Sequence, residues 1–147
     1  MTSASDAPRY EEDFAARLED QSRRLRRGKT AALDLDNLAE ELDTMGRGER
    51  REIRHRQTVL LTHLLKLSIQ PKRRSHSSLA TVSEQRDAIA EILADSPSLR
   101  AYPAETLDPC YRAARAAAAR ETGLPLARFP EDCPFEPSRI LDPEWLP

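Results

Sequence analysis

Apolar residues recur along this chain at intervals of three and four, and one stretch carries the pattern most strongly. In Ile53 to Ile69 (IRHRQTVLLTHLLKLSI), Ile53, Gln57, Leu60, Leu64 and Leu67 step by four, three, four and three. That spacing places them on one face of a helix. Val59, Leu61 and Leu65 widen the face, so this segment is predicted to be a central helix with neighbours on more than one side. Pro71 cannot extend it, and the residue before a proline avoids helical angles, so the helix is expected to end between Ser68 and Gln70. The run also contains Arg54, His55, Arg56, His63 and Lys66. Charges at mid-bilayer are costly, so a membrane span is rejected.

The flanking segments follow the same logic. Tyr10, Phe14, Leu18, Gln21 and Leu25 predict an amphipathic helix over residues 7–27, closed by Gly28. Leu35, Leu38, Leu42 and Met45 form the apolar face of a second helix, which Asp34 or Asp36 can cap. Gly46 and Gly48 each cost about 1 kcal/mol relative to alanine, which predicts a kink or short break before the central helix. Leu79, Val82, Arg86, Ile89 and Leu93 predict a further helix ending near Ala94, with Ser77 or Ser78 as its cap. Ser96-Pro97 and Asp108-Pro109 read as caps followed by a first-turn proline. The second opens an alanine-rich helix to about Glu121, and Gly123 closes it. From Leu124 prolines recur too often for a long helix, yet Phe129, Phe135, Ile140, Leu141, Trp145 and Leu146 are too apolar for a free linker. This tail is expected to lie on the bundle as an extended strap, with one helical turn near Pro137 to Leu141.

The expected architecture is therefore all-α: a single helical bundle of about five helices with a proline-rich C-terminal strap. Residues 1–8 are expected to be disordered, residues 9–147 to form one domain, and residues 124–147 to be the strap. Composition agrees, with 33% charged and only 5% aromatic residues. A formal net charge of −2 argues against a dedicated nucleic-acid domain, which carries a basic excess. Cys110 and Cys133 match no metal-ligand spacing and read as idle thiols. Residues 1–8 are polar with no apolar run after them, so a cytoplasmic location is expected.

One polar line flanks the apolar face of the central helix: Glu52, Arg56, His63 and Gln70, with Lys66 beside them. Glu41 joins it if the chain stays helical through Gly46 and Gly48. Arg86 falls on an apolar stripe and calls for a carboxylate, with Glu41 and Glu52 as candidates. His63 could act as an acid–base group oriented by Glu41 or Glu52. A metal site lacks a Glu-x-x-His pair, so neither metal nor cofactor is expected. The alternative for the same residues is a buried polar network that fixes helix register. The basic segment 66–76, with Lys66, Lys72, Arg73, Arg74 and His76, could hold phosphate or nucleic acid together with Gln70. Stacking aromatics and a glycine-rich loop are absent from it.

The blocks LDNLAEEL (35–42), MGRGERREI (45–53), HLLKLSIQPKRRSHSSLATVSEQR (63–86), AARETGLP (118–125) and FPEDCPF (129–135) resemble the DUF29 family of bacterial proteins, over residues 9 to 147. The resemblance implies a small, all-α, cytoplasmic domain. It carries over no catalytic residue, because the family has no assigned activity. The chain departs from the family pattern at Leu67 and Ser78, where tryptophan is usual, and at Pro103 and Pro109. The leading expectation is a protein of unknown function that acts as a non-enzymatic helical protein-interaction module, through an unidentified protein partner or self-association. The alternatives are a nucleic-acid-associated protein using residues 66–76, and a hydrolase or metal-dependent enzyme centred on His63 and Glu41.

Overall fold

The computed structural model describes residues 14–147, so the expected start of the first helix at residues 7–13 lies outside the described residues. Six α-helices are present and no strand occurs among the described residues: α1 Phe14–Arg26, α2 Leu35–Ile69, α3 His76–Asp95, α4 Tyr102–Glu105, α5 Leu107–Thr122 and α6 Pro137–Ile140. No described helix is long and apolar enough to cross a membrane. The chain divides into two compact units, Met1–Arg47 and Gly48–Pro147.

In the first unit, α1 ends on Arg23, Arg24 and Arg26, cations that suit the negative end of a helix. Gly28 follows at φ +68, the left-handed conformation in which a side chain would be strained. Asp34 caps α2, its Oδ1 accepting from the Asn37 amide at 3.3 Å. The Asp34 amide in turn donates to Oε1 of buried Gln21 at 3.0 Å, tying the start of α2 to α1. The predicted apolar face does not become a buried one. Leu35, Leu42 and Met45 are 66%, 68% and 68% exposed, whereas Glu41 is buried.

The expected break at Gly46 and Gly48 is absent, because α2 runs unbroken for 35 residues. The glycine penalty is local, while a helix anchored by packing at one end and a cap at the other propagates through a weak turn.

The second unit is a helical bundle around the C-terminal half of α2. Ile53, Leu60, Leu61, Leu64 and Leu65 are all fully buried, as the pattern requires. Leu60, Leu61, Leu64 and Leu65 pack with Val82 and Ile89 of α3, Tyr111, Ala114 and Ala118 of α5, and Phe129, Phe135 and Ile140 of the strap. Helix α3 runs antiparallel to α2, since Arg56 reaches Gln85 and Glu49 reaches Ser96. Helix α5 runs parallel to α2, with Cys110 beside Arg54 and Glu121 beside Lys66. Alanines at the α5 seam permit close approach of the helices.

Three helix boundaries differ from expectation. Ser75, not Ser77 or Ser78, caps α3, accepting from the Ser78 amide at 3.1 Å. Asp108 is not a cap. Helix α5 starts two residues earlier, because α4 delivers the chain in a nearly helical conformation and Thr106 takes the N-cap position. Pro103 does not interrupt. It lies near the start of α4, where a missing amide costs nothing.

The strap lies on the bundle as predicted. Its backbone carbonyls are collected by three long side chains from the helices. Tyr111 donates its hydroxyl to the Pro130 carbonyl, and Arg115 Nε donates to the Phe129 carbonyl at 3.1 Å. Arg86 Nε donates to the Ile140 carbonyl at 2.9 Å. Phe135 and Trp145 meet edge to face with ring centroids 5.6 Å apart, closing the strap on itself.

Candidate functional site

The predicted site residues do not form one constellation. Glu41 belongs to the first unit and is buried there. Glu52 is exposed and pairs with Arg56 one turn on, Arg56 Nη2 lying 2.9 Å from its Oε1. Arg86 is expected from the sequence to meet Glu41 or Glu52, and Glu52 is taken by Arg56. Arg86 is held by the carbonyls of Ile140 and Arg139. The reason is that α6 ends there, and the last carbonyls of a helix lack intrahelical donors. Burial lowers the Arg86 pKa, and the nearby Asp142 carboxylate opposes that shift. Arg74 donates to the Pro147 main-chain oxygen and so stays at the edge of the basic loop.

Three of the predicted binding residues do converge. Lys66, Gln70 and Arg73 line a half-enclosed pocket of about 210 Å³, together with Leu67, Ser78, Glu121 and Thr122. Each comes from a helix end: the last turn of α2, the Pro71–Arg73 turn, the first turn of α3 and the last turn of α5. Pro71 makes this possible by stopping α2 and turning the chain sharply into α3.

The electrostatics are nearly balanced. Lys66 Nζ lies 3.1 Å from Glu121 Oε2, so one cation is already answered. Arg73 is exposed. Thr122 Oγ1 donates to the Ala118 carbonyl at 2.7 Å and is committed to its own helix. Ser78 Oγ has no base within hydrogen-bond distance among the described residues, so the pocket has no activated nucleophile. What it can do is hold a small anion, in competition with Glu121.

His63 sits one turn before Lys66 but does not line the pocket. Burial lowers its pKa, the Lys66 ammonium lowers it further, and Glu121 works the other way. Its Nδ1 is buried without a hydrogen-bond partner. A neutral, half-buried imidazole with no carboxylate in hydrogen-bond contact lacks the orienting group that acid–base work needs. No cluster of three or more histidine, cysteine or carboxylate side chains that could hold a metal occurs among the described residues. Cys110 is buried and Cys133 partly so. Both are free thiols, and burial raises the Cys133 pKa.

Sequence reasoning missed Ser78, Glu121 and Thr122 as pocket residues. The available signal was the helix-closing ETG at 121–123, which puts Glu121 and Thr122 at a helix end.

No curated protein and no solved structure matches the chain. A family model, "Domain of unknown function DUF29", matches residues 9–146. The motif blocks quoted above, the all-helical bundle and this match over nearly the whole chain place the protein in the DUF29 family.

Proposed function

We propose that this protein is a non-enzymatic helical module that docks a basic amphipathic helix of a partner protein onto the first half of α2. The observation that carries the reading is the exposure of Leu35, Leu42 and Met45. With half-buried Leu38 they step by three, four and three, the a/d spacing of a two-helix seam. An exposed apolar row of this length on a charged helix is the kind of surface that marks an interaction site.

The charge around the row selects the occupant. Asp36, Glu40 and Asp43 are exposed beside it, and among the described residues Glu40 is paired with Arg47 at 3.7 Å. Two copies meeting through this row would set acid against acid, which disfavours self-association. A helix with leucines on one face and lysines or arginines flanking them satisfies both the apolar row and the charge.

The test is titration calorimetry with two designed helical peptides, one Leu/Lys amphipathic and one Leu/Glu amphipathic. The Leu/Lys peptide is expected to bind and the Leu/Glu peptide not. Leu42→Glu with Met45→Glu should abolish binding and leave thermal stability unchanged, because both side chains are exposed. Equal binding of the two peptides, or binding that survives the double substitution, would overturn the reading.

A further inference from the structure

The second unit carries a cationic face that the net charge of the chain conceals. Arg50, Arg51, Arg54 and His55 are all exposed on α2 and recur at three and four, so they share one side of the helix. Ile53 and Gln57, which border this side on the helical wheel, are buried. Glu52 within this run and Glu49 just before it are engaged elsewhere. Glu49 accepts from Ser96 Oγ at 2.8 Å, and Glu52 is taken by Arg56. Arg50, Arg51 and Arg54 form no ion pair among the described residues. Crowding like charges within one turn and a half of helix costs stability.

Two of the guanidinium groups are nevertheless held in place, both by one residue. Tyr102 of α4 accepts a hydrogen bond from Arg54 Nη1 through its hydroxyl. The Arg50 guanidinium lies over the same ring, 5.9 Å from its centroid. Beside them, Arg51, Arg54, His55 and Thr58 meet Pro109 and Cys110 around an open recess of about 370 Å³. A cavity of about 150 Å³ holds benzene, so the recess has room for a nucleobase. Arginine forks oriented before a ligand arrives match phosphate oxygens two at a time.

We propose that this face binds single-stranded nucleic acid, with the guanidiniums of Arg50, Arg51 and Arg54 on successive phosphates and one base seated in the recess over Pro109. The site is separate from the Lys66 pocket. The cationic run covers five residue steps, about 7.5 Å of helix. That is too short for the six to ten phosphate contacts typical of a duplex binder, whereas a flexible strand can fold onto it and offer an unpaired base. A membrane surface fits less well, because this side of the helix presents no exposed apolar side chain to insert.

The experiment is fluorescence anisotropy of a labelled oligouridylate with the full chain, across a salt series from about 50 mM upward. Each phosphate contact on a single strand contributes about −0.7 to the slope of log K against log salt, so three contacts predict a slope of about −2. Arg51→Ala and Arg54→Ala should each weaken binding and flatten the slope by about 0.7. Tyr102→Phe keeps the ring under Arg50 but removes the hydroxyl that positions Arg54. It should weaken binding with the slope unchanged, because no phosphate contact is deleted. Arg73→Ala with Arg74→Ala, in the other basic segment, should leave binding as it was. The proposal is overturned by absence of binding at low salt, by variants at Arg51 and Arg54 that bind like wild type, or by loss of binding through Arg73 and Arg74 instead. Tighter arginine-dependent binding to polyglutamate or to phosphatidylserine vesicles than to the oligonucleotide overturns it as well.

Discussion

Arg86 Nε donates to the Ile140 carbonyl at 2.9 Å, and this bond joins the middle of α3 to the last turn of the strap. Both residues are buried, Arg86 at 5% exposure and Ile140 at 2%. The arginine therefore acts as a clasp. It carries charge into the bundle because the Ile140 carbonyl, at the end of α6, is answered there by the guanidinium.

Removing the clasp should loosen the strap before it unfolds the helices. Arg86→Ala leaves the Ile140 carbonyl buried without a donor and opens space beside it, which together should cost about 2–4 kcal/mol. Urea denaturation gives the stability, and limited proteolysis shows whether cleavage concentrates in 124–147. A loss below about 1 kcal/mol would mean that the bond is incidental.

Gly48→Ala should stabilise the protein. The glycine lies inside α2, its φ is not in the left-handed region, and an added Cβ would meet no atom within 4 Å. The substitution should gain about 1 kcal/mol, raising Tm by about 2–4 °C for a chain of this size. A fall in Tm would show that residue 48 is not helical in solution.

These two cases mark what the sequence could and could not reveal. The buried face of α2 was legible because Ile53, Leu60, Leu64 and Leu67 obey a helical period and nothing competes with it. Gly123, at φ +72, and the strap were legible from glycine and proline chemistry. The partners of Arg86 were not, because a backbone carbonyl has no side-chain signature and any residue can supply one. The continuity of α2 was misjudged because a per-residue penalty was weighed without the cooperativity of the helix around it. The pocket at Lys66 was half legible: Lys66, Gln70 and Arg73 are near in sequence, but Glu121 and Thr122 reach it only through the parallel packing of α5. The Arg50–His55 face was visible in the spacing and was obscured by reading charge for the chain as a whole.

Alkaline pH should strip stability through Tyr111. Burial, with Cys133 and Asp132 adding to it and Arg115 opposing, pushes its pKa from 10.0 up to about 12. The folded state therefore keeps the phenol proton longer than the unfolded chain does. The stabilisation is complete below about pH 10 and is lost as pH rises towards about 12, amounting to about 2–3 kcal/mol. Tyr111→Phe should cost about 1 kcal/mol at neutral pH, through the lost bond to Pro130, and should flatten the alkaline decline. Urea unfolding at a series of pH values from neutral upward checks both. A decline of equal size in the variant would assign it to other groups.

The C-terminal half of α2 is the buried centre of the second unit, and native-state hydrogen exchange tests that directly. Amides from Leu60 to Leu67 are predicted to exchange last, through global unfolding alone, while those of the exposed turn at 71–74 exchange first. Exchange of Leu60–Leu67 as fast as that turn would contradict the account.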